Sequence, residues 1–323
     1  MEDKLYLITG ATGHLGSTLV KKLLDNNENI RALILKNDIE NAPKDVQICI
    51  GDITDKDSMK EFFAVKDYRH TTLIHCASLI SIASKTNPRI WNINVEGTRN
   101  VMELAKANNI ERIIYISTVH AIKEKPGIIE ETDDFSKDYV EGPYAKSKAE
   151  AAKIVLEYAK QGLNVSIVHP SGIIGPGDIH NHNHSVLTIK AMNTGKIPCA
   201  IKGGYDFVDV RDVVDGILKC EEKGLKGECY ILNGEYISVL DLINIIRKHK
   251  HKAKTNIELP YFIAKIIAPI AERISILLNN KHPLLTPYSV YTLNTNSNFS
   301  HKKASNQFDY QPRNIEESII DSL

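Results

Sequence analysis

The sequence predicts an α/β fold: a doubly wound parallel sheet with a smaller, mostly helical C-terminal substrate domain. Two observations predict it. Through the first half, short β-branched apolar runs alternate with longer stretches of helical period, as in βαβ units whose sheet is covered on both faces. A glycine-rich turn, Gly10 to Gly16, joins the first run to the first helix, as at the carboxyl end of a parallel strand.

In chain order, residues 5–9, 30–35, 46–50, 72–75, 112–116 and 165–168 read as buried strands. Residues 15–26, 55–63, 90–107 and 145–160 read as helices between them. After about residue 170 the rhythm breaks, and 207–210 and 228–232 read as strands returning to a sheet. The remainder is helical, with loops marked by Pro260, Pro283, Pro287 and Pro312. Residues 1–170 with 206–232 then form one domain, and 171–205 with 233–323 form the substrate domain. No internal repeat or low-complexity linker interrupts them.

Composition narrows the function classes. The 323 residues are 42% apolar and 25% charged, a globular balance. Lys plus Arg equals Asp plus Glu at 40 each, so the chain has no overall basic excess for nucleic acid or an anionic membrane. Five scattered cysteines without a C-x-x-C pair suit a reducing, cytoplasmic setting. The N-terminus lacks the pattern of a signal peptide. The apolar segment 261–278 is interrupted by Lys265, Pro269, Glu272 and Arg273, so it reads as an amphipathic helix rather than a transmembrane span. A pocket roof, a subunit interface and a membrane surface all suit such a helix.

Gly10-Ala11-Thr12-Gly13-His14-Leu15-Gly16 carries the first chemistry. Glycines allow a tight turn and close approach of a pyrophosphate, and the helix N-terminus offers free N–H groups and a positive dipole end. Lys36 follows the second strand, where an acid would bind the ribose hydroxyls of NAD and a cation suits the 2′-phosphate of NADP. NADP(H) is therefore favoured, and NAD(H) possible.

Gly142-Pro143-Tyr144-Ala145-Lys146-Ser147-Lys148 carries the second. Tyr144 and Lys148 lie four apart on one helix face, within reach of a shared ligand. A neighbouring ammonium favours the phenolate, which suits a tyrosine to proton transfer.

The G-x-x-G-x-x-G spacing, with Y-x-x-x-K about 130 residues later, resembles the extended branch of the short-chain dehydrogenase/reductase superfamily, with its Rossmann fold, over nearly the whole chain. The resemblance implies that Asp52 and Ile53 meet the adenine, and that Cys76, Ala77 and Ser78 line the cofactor. It implies that Asn94 braces the sheet near the cofactor, and that Pro170, Gly172 and Ile173 complete the contacts. Thr118, at the end of the fifth strand, takes the hydroxyl position that polarises the substrate oxygen, in preference to Ser117. The resemblance further implies that Lys148 holds the nicotinamide ribose and that the chain forms a homodimer, as is usual in this branch.

Residues 170–176, 203–212, 284–287, 299–304 and 310–313 look like the dihydroflavonol 4-reductase and 3β-hydroxysteroid dehydrogenase-like group. That implies reduction of a ketone or aldehyde, or oxidation of the alcohol, on a small and fairly apolar substrate. Sugar-nucleotide epimerase is the alternative, weakened by Gly172 where epimerases place an asparagine. Val119 and His120 stand where 4,6-dehydratases carry an acidic pair. A non-catalytic NADP sensor would need none of Thr118, Tyr144 and Lys148. His180, His182 and His184 alternate as metal ligands can, but the missing Cys or acidic partners favour a lid loop.

Overall fold

The computed structural model describes residues 2–82, 87–178, 183–197, 199–278 and 284–323. The chain opens with β1 (Glu2–Thr9), α1 (His14–Asp25), β2 (Ile30–Ile34), β3 (Gln47–Ile50) and β4 (Tyr68–His75). It continues through α2 (Pro88–Trp91), a π-turn (Asn92–Gly97), α3 (Thr98–Ala107), β5 (Arg112–Ile116), α4 (Pro143–Lys160) and β6 (Val165–Pro170). Next come β7 (Gly172–Ile174), α5 (His184–Asn193), β8 (Ala200–Ile201), β9 (Gly204–Asp209), α6 (Val210–Lys223) and β10 (Cys229–Leu232). The last part is β11 (Glu235–Ser238), α7 (Val239–His249), β12 (Glu258–Leu259), α8 (Tyr261–Leu277), α9 (Pro287–Thr292), α10 (Lys302–Phe308) and α11 (Ile315–Asp321).

Seven strands form one sheet in the order β10-β6-β5-β4-β1-β2-β3. Every pairing within it is parallel. Strand order reverses between β1 and β4, which opens a crevice for ligands at their carboxyl ends. Side chains alternate through the sheet. Leu5, Leu7, Ile113 and Tyr115 enter the core beneath α3 and α4, while Tyr6, Ile8, Ile114 and Ile116 enter the core beneath α1 and α6. Burial on both faces is why these strands read as unbroken apolar runs, each large side chain contributing about 1.5–3 kcal/mol.

Three expectations change. Residues 55–63 form only a short 3₁₀ turn, Asp57–Met59. The Ser58 hydroxyl bonds the Asp52 and Asp55 carbonyls, and the Asp52 carboxylate takes the Thr54 N–H and hydroxyl, so local side chains outcompete a helix. Residues 90–107 are helical but wind through the π-turn, which re-aims Asn94. Residues 207–209 do not return to the large sheet; β9 lies between β11 and β7 in a separate three-stranded sheet. α6 and β10 do return, with β10 pairing parallel to β6.

Arg112 locks that return. Its guanidinium donates to the Glu221, Cys220 and Gly224 carbonyls at the end of α6, to Ser166 on β6 and to Asn164. Arg112→Met should cost about 3 kcal/mol or more, because several buried acceptors lose their donor at once. Urea unfolding followed by circular dichroism checks this.

Candidate active site

The nucleotide end is built from backbone proximity. Gly10 has φ +71°, and a Cβ there would lie 2.7 Å from the Ala77 nitrogen. A Cβ on Gly16 would lie 2.1 Å from the Gly10 carbonyl oxygen, so the loop closes only without side chains at both positions. Gly13 caps α1 without a side-chain hydrogen bond, and no acid occupies the first turn. Its amides are therefore available to an anion. The loop's shape and the polarity of this helix end fit a dinucleotide pyrophosphate.

Around that loop the expected residues divide by role. Ala77 donates its N–H to the Thr9 hydroxyl, and Cys76 and Ser78 flank it at the end of β4. Burial pushes the Cys76 thiol up to about 12, which keeps it protonated. Ile53 is core, packed against Gly97, and Asp52 caps its own turn. The buried His14 bonds the Pro176 carbonyl through Nε2 at 2.8 Å and Asn183 through Nδ1 at 2.9 Å, tying α1 to the chain beyond β7. Pro170 ends β6, while Gly172 and Ile173 lie in β7, where a Cβ on Gly172 would strike Phe207 and Tyr205. Leu15 is half-buried in α1 beside the loop.

The acid Asp38 escaped the sequence reading. It sits two residues beyond the exposed Lys36, in the turn after β2, and accepts hydrogen bonds from Thr12 of the loop and from Asn41. Its only sequence signal was proximity to the strand end.

At the other end of the crevice, α4 begins at Pro143 and carries Tyr144 and Lys148 one turn apart, both buried. The Tyr144 side chain lies beside the hydroxyls of Thr118, the expected partner, and Ser78. Burial drives the Tyr144 pKa up, and those two hydroxyls act against the rise. Thr118 also accepts the His120 N–H, whereas the buried Ser117 hydroxyl makes no hydrogen bond. The Lys148 ammonium donates to the Ile116 carbonyl at 2.6 Å and lies 4.6 Å from the centre of the Tyr115 ring. Burial pulls its pKa down to about 7.

Asn94 acts as a clamp. Its side chain bonds Ser78, the Leu79 backbone and Ser147, joining the β4 loop to α4 with both amide ends occupied by protein. Beside Thr118 and Tyr144, a pocket is lined by His120, Tyr205, Tyr288, Tyr291 and Phe299. His120 Nε2 and the Tyr205 hydroxyl are 2.8 Å apart, and burial lowers the His120 pKa to about 4, so the ring is neutral. His184 begins α5, while residues 180 and 182 lie outside the described residues, among which no metal-binding cluster occurs.

The model of the NAD dependent epimerase/dehydratase family matches residues 6–232. The chain belongs to this family. This member of it is 28% identical to the sterol demethylase protein B of Methylococcus capsulatus, across 98% of this chain and 96% of that one. It is 31% identical to a putative dihydroflavonol 4-reductase of Synechocystis, across 74% and 70%. Among solved structures, gox2253 superposes with a TM-score of 0.82 at 28% identity, covering 100% of this chain and 97% of its own. The chain is thus an enzyme of the extended short-chain dehydrogenase/reductase type, a group that uses a nicotinamide cofactor.

Lys148 makes stability depend on pH. Its folded pKa lies below its unfolded value, so the burial penalty is full below about pH 7 and fades as pH rises toward 10.5. Lys148→Met should therefore be more stable than the cofactor-free wild type by a few kcal/mol at pH 6, with the gap narrowing by pH 10. Thermal melts of both proteins across that range check it.

Proposed function

We propose that this family member reduces a ketone or aldehyde on a small, apolar, ring-bearing substrate, or oxidises the matching alcohol, with NADP(H) preferred and NAD(H) accepted. The observation that carries this reading is the pocket beside Tyr144. Its described lining is aromatic, holds Glu124 and Glu141, and contains no Lys or Arg. A sugar nucleotide brings a diphosphate that wants cations, so this lining disfavours the epimerase alternative. The names of the sterol demethylase and dihydroflavonol reductase relatives point the same way.

The bound nicotinamide supplies hydride chemistry. The protein's own groups do the rest. Thr118 accepts from the His120 amide, which leaves its O–H free to donate to the substrate oxygen. The Tyr144 O–H gives its proton to that oxygen as negative charge develops, and takes one back in the oxidative direction. Lys148, already anchored on Ile116, orients its ammonium toward ribose hydroxyls and lowers the cost of a Tyr144 phenolate. Segments 171–205 and 233–323 cover the substrate in this reading. Five free cysteines, three of them buried, support a reducing cytoplasmic setting.

Tyr144→Phe should retain NADPH binding by calorimetry and lose turnover by roughly 10³-fold on an apolar carbonyl panel. Activity within tenfold of wild type would remove Tyr144 from the mechanism, and measurable UDP-sugar affinity would favour the epimerase. Cofactor choice turns on Lys36 against Asp38. Lys36→Ala should weaken NADPH about tenfold and leave NADH unchanged, read from dissociation constants.

A further inference from the structure

We propose that α8 and the basic turn before it form a docking surface for an anionic lipid bilayer. α8 buries only a narrow edge: Ala264, Ala268 and Glu272, spaced by four, with the two alanines packed on Val290. The opposite side carries Phe262, Ile266, Ile270 and Ile274, also spaced by four, which are 65%, 67%, 55% and 51% exposed. Nine of the nineteen exposed large apolar residues among those described fall within 257–278. A helix packed on one side and facing water on the other carries polar residues there. A contiguous apolar face of this kind marks a contact surface.

Charge identifies the occupant. The chain is neutral as a whole, yet residues 247–278 hold seven Lys or Arg against two acids, Glu258 and the buried Glu272. Lys265 and Arg273, both exposed, flank the apolar stripe on one side of the helix, and α8 exposes no acid. Upstream, Lys252 and Lys254 are exposed on the turn, while Lys248 pairs with Glu316 and Lys250 bonds the Asn193 carbonyl. The chain from Lys254 to Tyr261 spans at most about 25 Å, so the basic turn lies within that reach of the start of the helix. Two copies of this face would bring like charges together, whereas anionic headgroups complement them.

At 17 residues with Pro269, Lys265 and Arg273 inside or along it, α8 suits lying in the headgroup plane, and no described helix is long and apolar enough to cross a membrane. α8 packs on α9, whose Tyr288 and Tyr291 line the pocket, so docking would bring that pocket close to the lipid phase. The docking proposal itself does not depend on which reaction the site performs.

The test is sedimentation of the full chain with phosphatidylcholine vesicles, with and without phosphatidylglycerol. Wild type should pellet with the anionic vesicles and bind at least about tenfold more weakly to the neutral ones or in high salt. Ile266→Glu/Ile270→Glu should lose at least about tenfold in vesicle binding, with its melting temperature and NADPH affinity unchanged. Lys252→Glu/Lys254→Glu should lose the preference for anionic vesicles. Wild type remaining in the supernatant, or either variant binding as wild type does, overturns the proposal. So does a dimer seen by light scattering that Ile266→Glu/Ile270→Glu dissociates in the absence of vesicle binding, which would assign the face to a second copy.

Discussion

The candidate site depends on a lysine ammonium buried beneath it that no carboxylate among the described residues neutralises. Lys148 is held by one backbone carbonyl, that of Ile116, and by the face of Tyr115. Such a charge is costly in an apolar interior, and the cost appears as a pKa near 7. Tyr115 and Ile116 at the end of β5 supply the ring and the holding carbonyl, and Thr118 follows two residues later, so the strand's position governs them together. Because Lys148 is one turn from Tyr144, the same anchor sets where the tyrosine hydroxyl meets Thr118.

A second set of buried polar contacts joins this centre to the glycine loop. Thr9 on β1 lies 2.7 Å from His75 Nδ1, and His75 Nε2 lies 3.1 Å from the Thr98 hydroxyl. Thr98 donates to the Asn94 carbonyl, and the Ala77 N–H donates to Thr9, so one tautomer of a neutral His75 satisfies every group. Burial lowers the His75 pKa to about 3, in keeping with that neutral ring. Asn94 then reaches Ser147 on α4, between Tyr144 and Lys148. The loop and α4 are thereby braced against each other through fully bonded side chains, and a site held in this way loses little entropy on binding.

The rings beside the candidate site come largely from the less regular half. β7, β9 and β11 make a small sheet that presents Tyr205 beside His120, with Phe207 edge-on to Tyr205, and α9 adds Tyr288 against Gly142 at the start of α4. The pocket's ring-lined character, with no Lys or Arg in its described lining, therefore arises where elements distant in sequence meet. α8 lies behind α9 with its apolar side outward, so the pocket wall and the outer surface belong to adjoining helices.

The sequence by itself determined the parallel sheet, the glycine loop and the Tyr144–Lys148 pair, because each rests on local spacing. Strands buried on both faces are uniformly apolar, Gly10 and Gly16 answer to backbone clashes a few residues away, and a four-residue offset on a helix fixes a shared face. Tertiary structure decided what depends on partners far along the chain. Residues 55–63 lost their helix to the hydroxyl and carboxylate of Ser58 and Asp52. The helix at 90–107 took a π-turn that places Asn94 between two other segments. β9 joined a second sheet, Asp38 folded back onto Thr12, and His120 met Tyr205 across 85 residues. Residues 261–278 read as a pocket roof, an interface or a membrane-surface helix, with the family resemblance favouring the first two. Only packing showed that α8 turns its small residues inward and its large ones out, since helical period records which residues share a face and not what that face meets.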